Sequence, residues 1–392
     1  MKRLLVGALA SAVVGAGLIT AGAAGAAPSQ SAPSQPVPSQ PVPSQPVPSQ
    51  PVPSKPVPAS LASRVCPPSA VALGYSDALD KLNYHGTELG GLSSLAYDRR
   101  SGAWISAVDN HASDPSRIWF FRNLASPTVV RDPLVLKQPD GTPYNGMTAD
   151  NEGLAVLPDG DYLVSSETEP SIRIFGRDGV QKSALPVPAR FAVSPAGEAT
   201  SNATLEGLTI TPSGQRIIAA MEGALSGDLS AAGDATAHRF LVYDRDRHGN
   251  YQLAKQIGYR TETGQRVPEV AAYSDDSLVV EEASFDVAEG NAVSLYQVTG
   301  LNRAADVSSI GNLSSASSSA FVAKRLLADL VKCPSLGAPA KETQTNPLLD
   351  NFEGMAFTTP DVFGYAGLTL ISDDNFSTGQ TTRLLNLAVR LR

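Results

Sequence analysis

The phrase Asn151-Glu152-Gly153-Leu154-Ala155 returns as Leu205-Glu206-Gly207-Leu208-Thr209 and again as Phe352-Glu353-Gly354-Met355-Ala356. Each copy is followed by a turn or loop, a hydrophobic run and a second acidic position, and a fainter copy at 93–98 keeps only that second position. Self-similarity at such intervals is typical of β units repeated around an axis. The pattern therefore predicts a β-propeller that brings the repeated acids close together. The second acidic positions are Asp109, Glu167, Glu222, Asp373 and Asp374.

Short strand-like runs separated by turn residues recur along the chain and predict an all-β fold. Blade signatures lie near 93–121, 152–175, 206–243, 277–298 and 353–372. We predict six blades, with five or seven open, and we expect a last strand near Arg383–Arg392 to pair with the N-terminal region and close the ring. Helical periodicity at Ser319–Val331 predicts one short helix in an insertion.

The N-terminal region divides into two segments that precede the predicted domain. Residues 1–27 have Lys2 and Arg3, an apolar stretch and small residues at the end, which is the plan of a signal peptide. Residues 28–62 repeat Pro-Val-Pro-Ser-Gln, which predicts a disordered or extended stalk. The stalk is expected to act either as a spacer or as a ligand for a proline-binding partner. The globular domain is predicted at 63–392, and no transmembrane segment is expected.

Charge and cysteine content narrow the class of protein. The chain has 38 Asp and Glu against 30 Lys and Arg, a formal net charge of −8, which opposes nucleic acid as a partner and suits a bound cation. The two cysteines, Cys66 and Cys333, predict one disulfide in an exported protein. We therefore expect a secreted protein, with association with the cell wall through the stalk left open, and a monomer.

Several carboxylates that face one another repel, and a hard cation with oxygen ligands is a common remedy. We predict Glu152, Glu206 and Glu353 as catalytic residues and the second acids as ligands of Ca²⁺. Calcium would polarise a phosphoryl or carbonyl oxygen while a free carboxylate takes a proton. A structural role is the alternative: the glycine would supply a tight bend, and the glutamate would accept N–H bonds from the next blade.

Three stretches resemble one known family. They are Glu-Gly-Leu-Ala with Pro-Asp-Gly and Ser-Ser-Glu at 152–167, Leu-Glu-Gly-Leu-Thr at 205–209, and Asn-Phe-Glu-Gly-Met-Ala with Ser-Asp-Asp-Asn-Phe at 351–376. Together they resemble the secreted bacterial phytase-like domain, also described as "esterase-like activity of phytase", over roughly 85–390. The resemblance implies a propeller hydrolase that acts on a small phosphate or carboxylic ester.

The chain departs from that family in two places. The first blade reads Glu88-Leu89-Gly90-Gly91-Leu92-Ser93-Ser94-Leu95-Ala96 where relatives often have Glu-Leu-Ser-Gly-Leu-Ala. The fourth blade reads Val280-Glu281-Glu282-Ala283 where they often have Leu-Glu-Arg, so a basic residue for a phosphate is missing from this phrase. The second departure weakens the phosphatase interpretation. A non-enzymatic propeller that binds a cell-envelope ligand or protein remains the alternative function, because a fold does not fix its function.

Overall fold

The computed structural model describes residues 63–109, 111–362 and 364–392, and at 359–362 it describes the backbone alone. The predicted signal peptide at 1–27 and the predicted stalk at 28–62 lie outside the described residues. The described residues belong to one compact unit, Pro56–Arg392. No helix within the described ranges is long and apolar enough to cross a membrane.

The described chain forms five antiparallel sheets, and a small hairpin precedes the first of them. The N-terminal strands are β1 (Val65–Cys66) and β2 (Ala70–Ser76), followed by the hairpin of β3 (Asn83–Tyr84) and β4 (Thr87–Glu88). Blade 1 contains β5 (Ala96–Asp98), β6 (Ala103–Ala107), β7 (Arg117–Arg122), β8 (Thr128–Val129) and β9 (Leu134–Val135). Blade 2 contains β10 (Asn151–Val156), β11 (Tyr162–Ser166), β12 (Ser171–Phe175) and β13 (Gln181–Leu185).

The remaining three blades follow in chain order. Blade 3 contains β14 (Leu205–Ile210), β15 (Arg216–Met221), β16 (Ala237–Arg245) and β17 (Tyr251–Arg260). Blade 4 contains β18 (Val270–Ser274), β19 (Ser277–Asp286), β20 (Gly290–Thr299) and β21 (Lys324–Asp329). Blade 5 contains β22 (Phe352–Val362), β23 (Tyr365–Ser372) and β24 (Leu384–Val389), and it is completed by β2 and β1.

The ring closes because the C-terminal strand pairs with an N-terminal one. β24 pairs antiparallel with β2, from Ala70 opposite Val389 to Ser76 opposite Leu384, as the sequence predicts. The prediction of six blades is not confirmed, since the described residues form five. The N-terminal strand adds no blade of its own; it completes the fifth, and every sequence signature already corresponds to one of the five sheets.

The helix predicted at Ser319–Val331 is wrong. The described residues there form a 3₁₀ turn at Ser318–Ala320, strand β21 and a second 3₁₀ turn at Leu330–Lys332. The apolar residues of β21 pair with β20, with Leu326 opposite Tyr296 and Ala328 opposite Leu295. Sheet pairing at the edge of blade 4 therefore overrides the helical spacing. Three further 3₁₀ turns lie at Ala189–Phe191, Ser226–Asp228 and Leu301–Arg303.

Apolar cores lie between neighbouring blades. On β15, Ile217 and Ala219 pack into a cluster with residues of blade 2, whereas Ile218 and Ala220 pack into a cluster with residues of blade 4. Successive side chains of a strand point to opposite faces, so a strand buried on both faces is apolar at every position. This explains the uninterrupted apolar run Ile217–Met221 in β15.

The glycine of each repeated phrase lies where inner strands of adjacent blades approach. A Cβ on Gly153 would meet the Leu208 side chain and come within 2.6 Å of the Glu206 carbonyl oxygen, and one on Gly354 would lie 2.5 Å from the Ser94 carbonyl carbon. A Cβ on Gly207 would lie 2.9 Å from the backbone of Glu269. These glycines thus permit close approach of strands, rather than the tight bend considered from the sequence.

Replacing Gly153 with alanine is expected to lower the free energy of unfolding by about 3 kcal/mol, because backbone atoms of the next blade must move. Urea denaturation of the folded domain measures this loss. Gly311→Ala is the matched control, since a Cβ there meets no atom within 4 Å. An equal and small effect of both substitutions would contradict the close-approach role of Gly153.

The predicted disulfide is confirmed. Cys66 and Cys333 are joined with an S–S distance of 2.02 Å, and their Cα atoms are 4.3 Å apart. Cys66 is the last residue of β1, and Cys333 directly follows the 3₁₀ turn after β21. The bond therefore ties the N-terminal strand of blade 5 to the end of blade 4.

Candidate functional site

The repeated acids occupy equivalent backbone positions in the blades. Glu152, Glu206 and Glu353 are each the second residue of an inner strand, β10, β14 or β22. The second acids lie just beyond the neighbouring strand, where their N–H groups donate to the start of the inner strand. These bonds are Asp109 to Gly91 O (2.9 Å), Glu167 to Asp150 O (2.9 Å), Glu222 to Thr204 O (2.8 Å) and Asp373 to Asn351 O (2.9 Å).

This equivalence brings acids of three blades together. One carboxylate oxygen each of Glu152, Glu206 and Glu353 lie within 4.8 Å of one another. Glu167, Glu206 and Glu222 form a second such group, and Asp150, Glu152 and Glu167 form a third. Because the groups share members, they make one continuous cluster, which we call the acid cluster: Asp150, Glu152, Glu167, Glu206, Glu222 and Glu353.

Arg266 enters the acid cluster from the segment before blade 4. Its Nη1 lies 2.7 Å from Glu222 and 3.7 Å from Glu206, and its Nη2 lies 3.2 Å from Glu353. Nη2 also donates to the Asn351 side chain at 2.6 Å. The Arg266 side chain is 28 % exposed, against 11 % or less for these three glutamates. The Arg266 side chain is thus the most exposed of these four, although its guanidinium lies among the glutamates.

Burial and mutual repulsion shift the ionisation of the cluster. Burial, followed by repulsion from Glu206, holds the pKa of Glu152 well above its usual range. Burial, followed by repulsion from Glu222, also holds the pKa of Glu206 well above its usual range. Burial and Glu222 raise the pKa of Glu167 to about 8, although the Thr204 N–H bonded to that carboxylate opposes the rise. The cluster therefore holds protons near neutral pH unless a cation replaces them.

Arg266 compensates only one side of the acid cluster. Burial raises the pKa of Glu222, and the nearby guanidinium opposes that rise. Burial lowers the pKa of Arg266, but the facing glutamates outweigh it, so the net shift is upward. Within the described part of the chain, the ion pairs of Arg266 involve Glu206, Glu222 and Glu353 and no member of the Asp150, Glu152 and Glu167 group. The carboxylates of Asp150, Glu152 and Glu167 could hold a metal ion.

The remaining predicted ligands lie in other surroundings. The pKa of Asp373 is well above its usual range because of burial and then the nearby Asp109, with Glu353 adding to the effect. The Asp374 carboxylate accepts the Gly91 N–H at 2.9 Å and the Phe376 N–H at 3.1 Å, and it pairs with Lys81. No group of three potential ligands found in the described ranges includes Asp109, Asp373 or Asp374. The structure therefore joins five of the eight predicted site residues to the cluster.

The sequence analysis missed Arg266 and Asp150. Arg266 lies in a connection between blades and outside every repeat, but its backbone pairs with Ala283, and each residue donates its N–H to the other's carbonyl. The positive charge missing from the phrase Val280–Ala283 is thus supplied from the segment opposite it. Asp150 directly precedes the first repeated phrase, and its position beside Glu152 was the available signal.

A large cavity among the described residues does not contain the acid cluster. It has a volume of about 1340 Å³ and is lined by the later residues of the inner strands and the turns that follow them, including Tyr97, Ile210 and Phe357. Leu154, Leu208 and Met355, which follow the repeated Glu-Gly pairs, also line it. The cavity therefore opens where the inner strands end, whereas the acids lie where these strands begin.

Comparison with known proteins identifies a family. A family model described as "Phytase-like: Esterase-like activity of phytase" matches residues 87–376. No curated protein matches the chain.

Solved structures resemble the chain only distantly. An aldose sugar dehydrogenase from Streptomyces coelicolor in its PQQ-bound form is 12% identical with a TM-score of 0.36, covering 83% of this chain and 100% of that chain. A gluconolactonase, XC5397, from Xanthomonas campestris is 13% identical with a TM-score of 0.37, covering 85% and 93%. A thermostable family-43 glycoside hydrolase is 8% identical with a TM-score of 0.44, covering 78% and 94%. Similarity at this level does not bear on the activity of the chain.

Proposed function

Because the chain belongs to the phytase-like family described as "Esterase-like activity of phytase", we propose that it hydrolyses phosphate or carboxylic esters at the acid cluster with help from a divalent cation. The observation that carries the proposal is the convergence of Glu152, Glu206 and Glu353 from three blades within 4.8 Å. Carboxylates that are buried together at this distance are costly unless protons, a guanidinium or a metal compensate them.

The donor set fits a hard cation with oxygen ligands, and we name Ca²⁺ because it tolerates irregular mixtures of carboxylates. Asp150, Glu152 and Glu167 would hold it, since their oxygens lie within 4.8 Å of one another and Arg266 compensates the other side of the cluster. A cation bound there would polarise the ester oxygen and would lower the pKa of a bound water molecule.

The chain's own residues supply proton transfer and orientation. Glu206 belongs to two of the three close groups, so it links the Arg266 side to the Glu152 side. Burial and then Glu222 raise its pKa, which favours the protonated carboxyl group. The protonated group can give its proton to a leaving alkoxide, and the ionised group can take a proton from water. Arg266, whose side chain is partly exposed, would orient an anionic group of the substrate.

We further propose that the protein works outside the cytoplasm, as a monomer. The disulfide between Cys66 and Cys333 supports an oxidising location. The signal peptide, the stalk and its contact with the cell wall remain predictions from the sequence.

A substrate screen tests the proposed activity. The purified protein, with calcium or with a chelator, is assayed on phytate, simple phosphomonoesters, aryl acetates and lactones. We expect calcium-dependent hydrolysis of at least one class, and we expect Glu206→Gln to lower kcat by about 100-fold or more. Glu169→Gln is the control, because the Glu169 side chain is 73 % exposed and pairs with Arg173. If the protein binds calcium but hydrolyses none of these classes of ester, the result would favour the non-enzymatic alternative.

A further inference from the structure

Blade 4 departs from the repeated phrase, because it has Pro268-Glu269 where blades 3 and 5 have Glu-Gly. Val270 of blade 4 is equivalent to Leu208 of blade 3 and Met355 of blade 5, because each pairs with the next strand of its own blade. The partners are Val280, Ala219 and Leu370, respectively. The residue before Val270 is Glu269, whereas the residue before the other two is glycine. Blade 4 thus carries a buried carboxyl group where its neighbours carry no side chain.

The Glu269 carboxyl group contacts inner strands of three blades. Its Oε1 accepts the N–H of Leu208 at 3.0 Å and the N–H of Val270 at 2.8 Å. The N–H of Met355 in blade 5 faces this carboxyl group and favours its ionised form. Only 2 % of Glu269 is exposed, so these backbone groups have no water to replace the carboxyl oxygens.

The two contacts outside blade 4 have equivalent places in the repeat. Leu208 lies two residues beyond Glu206, and Met355 lies two residues beyond Glu353. We propose that Glu269 is a positioning residue for the acid cluster: its carboxyl group accepts the Leu208 N–H and faces the Met355 N–H, and it thereby fixes the separation of the Glu206 and Glu353 side chains. The role of those side chains rests on the proposed function, whereas the link between the strands does not.

The positioning role requires an acceptor oxygen and not a negative charge. Burial holds the pKa of Glu269 well above its usual range, although the bonds from Val270 and Leu208 oppose that rise. Glu269→Gln keeps an oxygen that can accept both bonds, so this variant should behave as the wild type. Glu269→Leu removes every acceptor and leaves the backbone donors of three blades unsatisfied.

Amide hydrogen exchange tests the link between strands without any assay of activity. In Glu269→Leu we expect exchange at both Leu208 and Met355 to accelerate roughly 10-fold or more, because the buried carboxyl group that faces both amides is gone. Glu269→Gln should restore the slow exchange at both amides. Should Glu269→Leu fail to fold, Glu269→Asp, which withdraws the acceptor by one methylene, gives the same readout. Unchanged exchange at Leu208 and Met355, with a change confined to Val270, would overturn the proposal.

Hydrolysis by the same variants tests the effect on the site. We expect Glu269→Leu to lower kcat by about 100-fold with a smaller change in KM, and Glu269→Gln to restore it. Wild-type rates in Glu269→Leu would overturn the positioning role. If the wild type hydrolyses none of the esters and binds no calcium, the proposed function fails, and hydrogen exchange alone decides the inference.

Glu281→Gln is the matched control for these experiments. Glu281 is also a fully buried glutamate of blade 4, but neither of its carboxylate oxygens has a hydrogen-bond partner among the described residues. Loss of its charge should therefore leave exchange at Leu208 and Met355 unchanged. Acceleration equal to that of Glu269→Leu would show that any buried change in blade 4 loosens these strands, and the specific role of Glu269 would be refuted.

Discussion

A variant that carries Cys66→Ser and Cys333→Ser is expected to lose about 4–5 kcal/mol of unfolding free energy. The two residues are 267 positions apart, so the disulfide removes much of the freedom of the unfolded chain. It also lies beside the ring closure, because Cys66 ends β1 and β1 pairs with β2. Guanidinium denaturation of the oxidised wild type and of the variant measures the loss.

Reduction of the wild type provides the control for that comparison. The reduced protein should match the double variant, since both lack the bond and keep every other contact of the ring. A difference between oxidised and reduced wild type below about 1 kcal/mol would contradict the stabilisation expected from such a long loop. It would mean that the closure of blade 5 through β24 and β2 already restrains the chain ends.

In the presence of a chelator, the unfolding free energy is expected to fall by several kcal/mol as the pH rises from about 4.5 to about 8. Glu167 has a pKa of about 8 in the folded protein against an ordinary value of 4.5, so the folded state binds more protons in this window. Stability then decreases with rising pH, and the contribution is complete below the ordinary pKa. Glu152 and Glu206 act in the same direction, because burial raises their pKa values as well.

Melting temperatures across this pH range, with chelator and with calcium, measure the effect. Calcium should reduce the decline, because a ligand of the ionised native cluster stabilises it in proportion to occupancy. Glu167→Gln removes one titrating group and should flatten the profile, whereas Glu169→Gln should follow the wild type. Stability that is constant or rises over this window would show that the cluster is not protonated as its burial requires.

The convergence of the acids was predictable because it depends on repetition. Glu152, Glu206 and Glu353 share one place in the blade repeat, and rotation around an axis carries equivalent places to one end of it. The closure by the last strand followed from the same pattern, since that strand had no later partner. The disulfide followed from having only two cysteines in a chain with a predicted signal peptide.

Features outside the repeat were not predictable in this way. Arg266 comes from a connection whose sequence shows no period, so its approach to Glu222 depends on the path of that loop. The spacing at Ser319–Val331 suits a helix as well as an edge strand, and only the available partner β20 decides between them. The number of blades depends on how strands are shared at the closure, which the count of sequence signatures does not reveal.

Calcium titration by isothermal calorimetry, on the wild type and on Glu152→Gln, tests the central claim most directly. Glu152 belongs to two of the three close groups of acids, so removing its charge weakens the cluster while the glutamine keeps the shape. We predict that the wild type binds calcium at neutral pH and that Glu152→Gln, still folded by circular dichroism, binds at least about 10-fold more weakly. Absence of binding in the wild type, or equal binding by both proteins, would contradict the claim that these acids form a cation site.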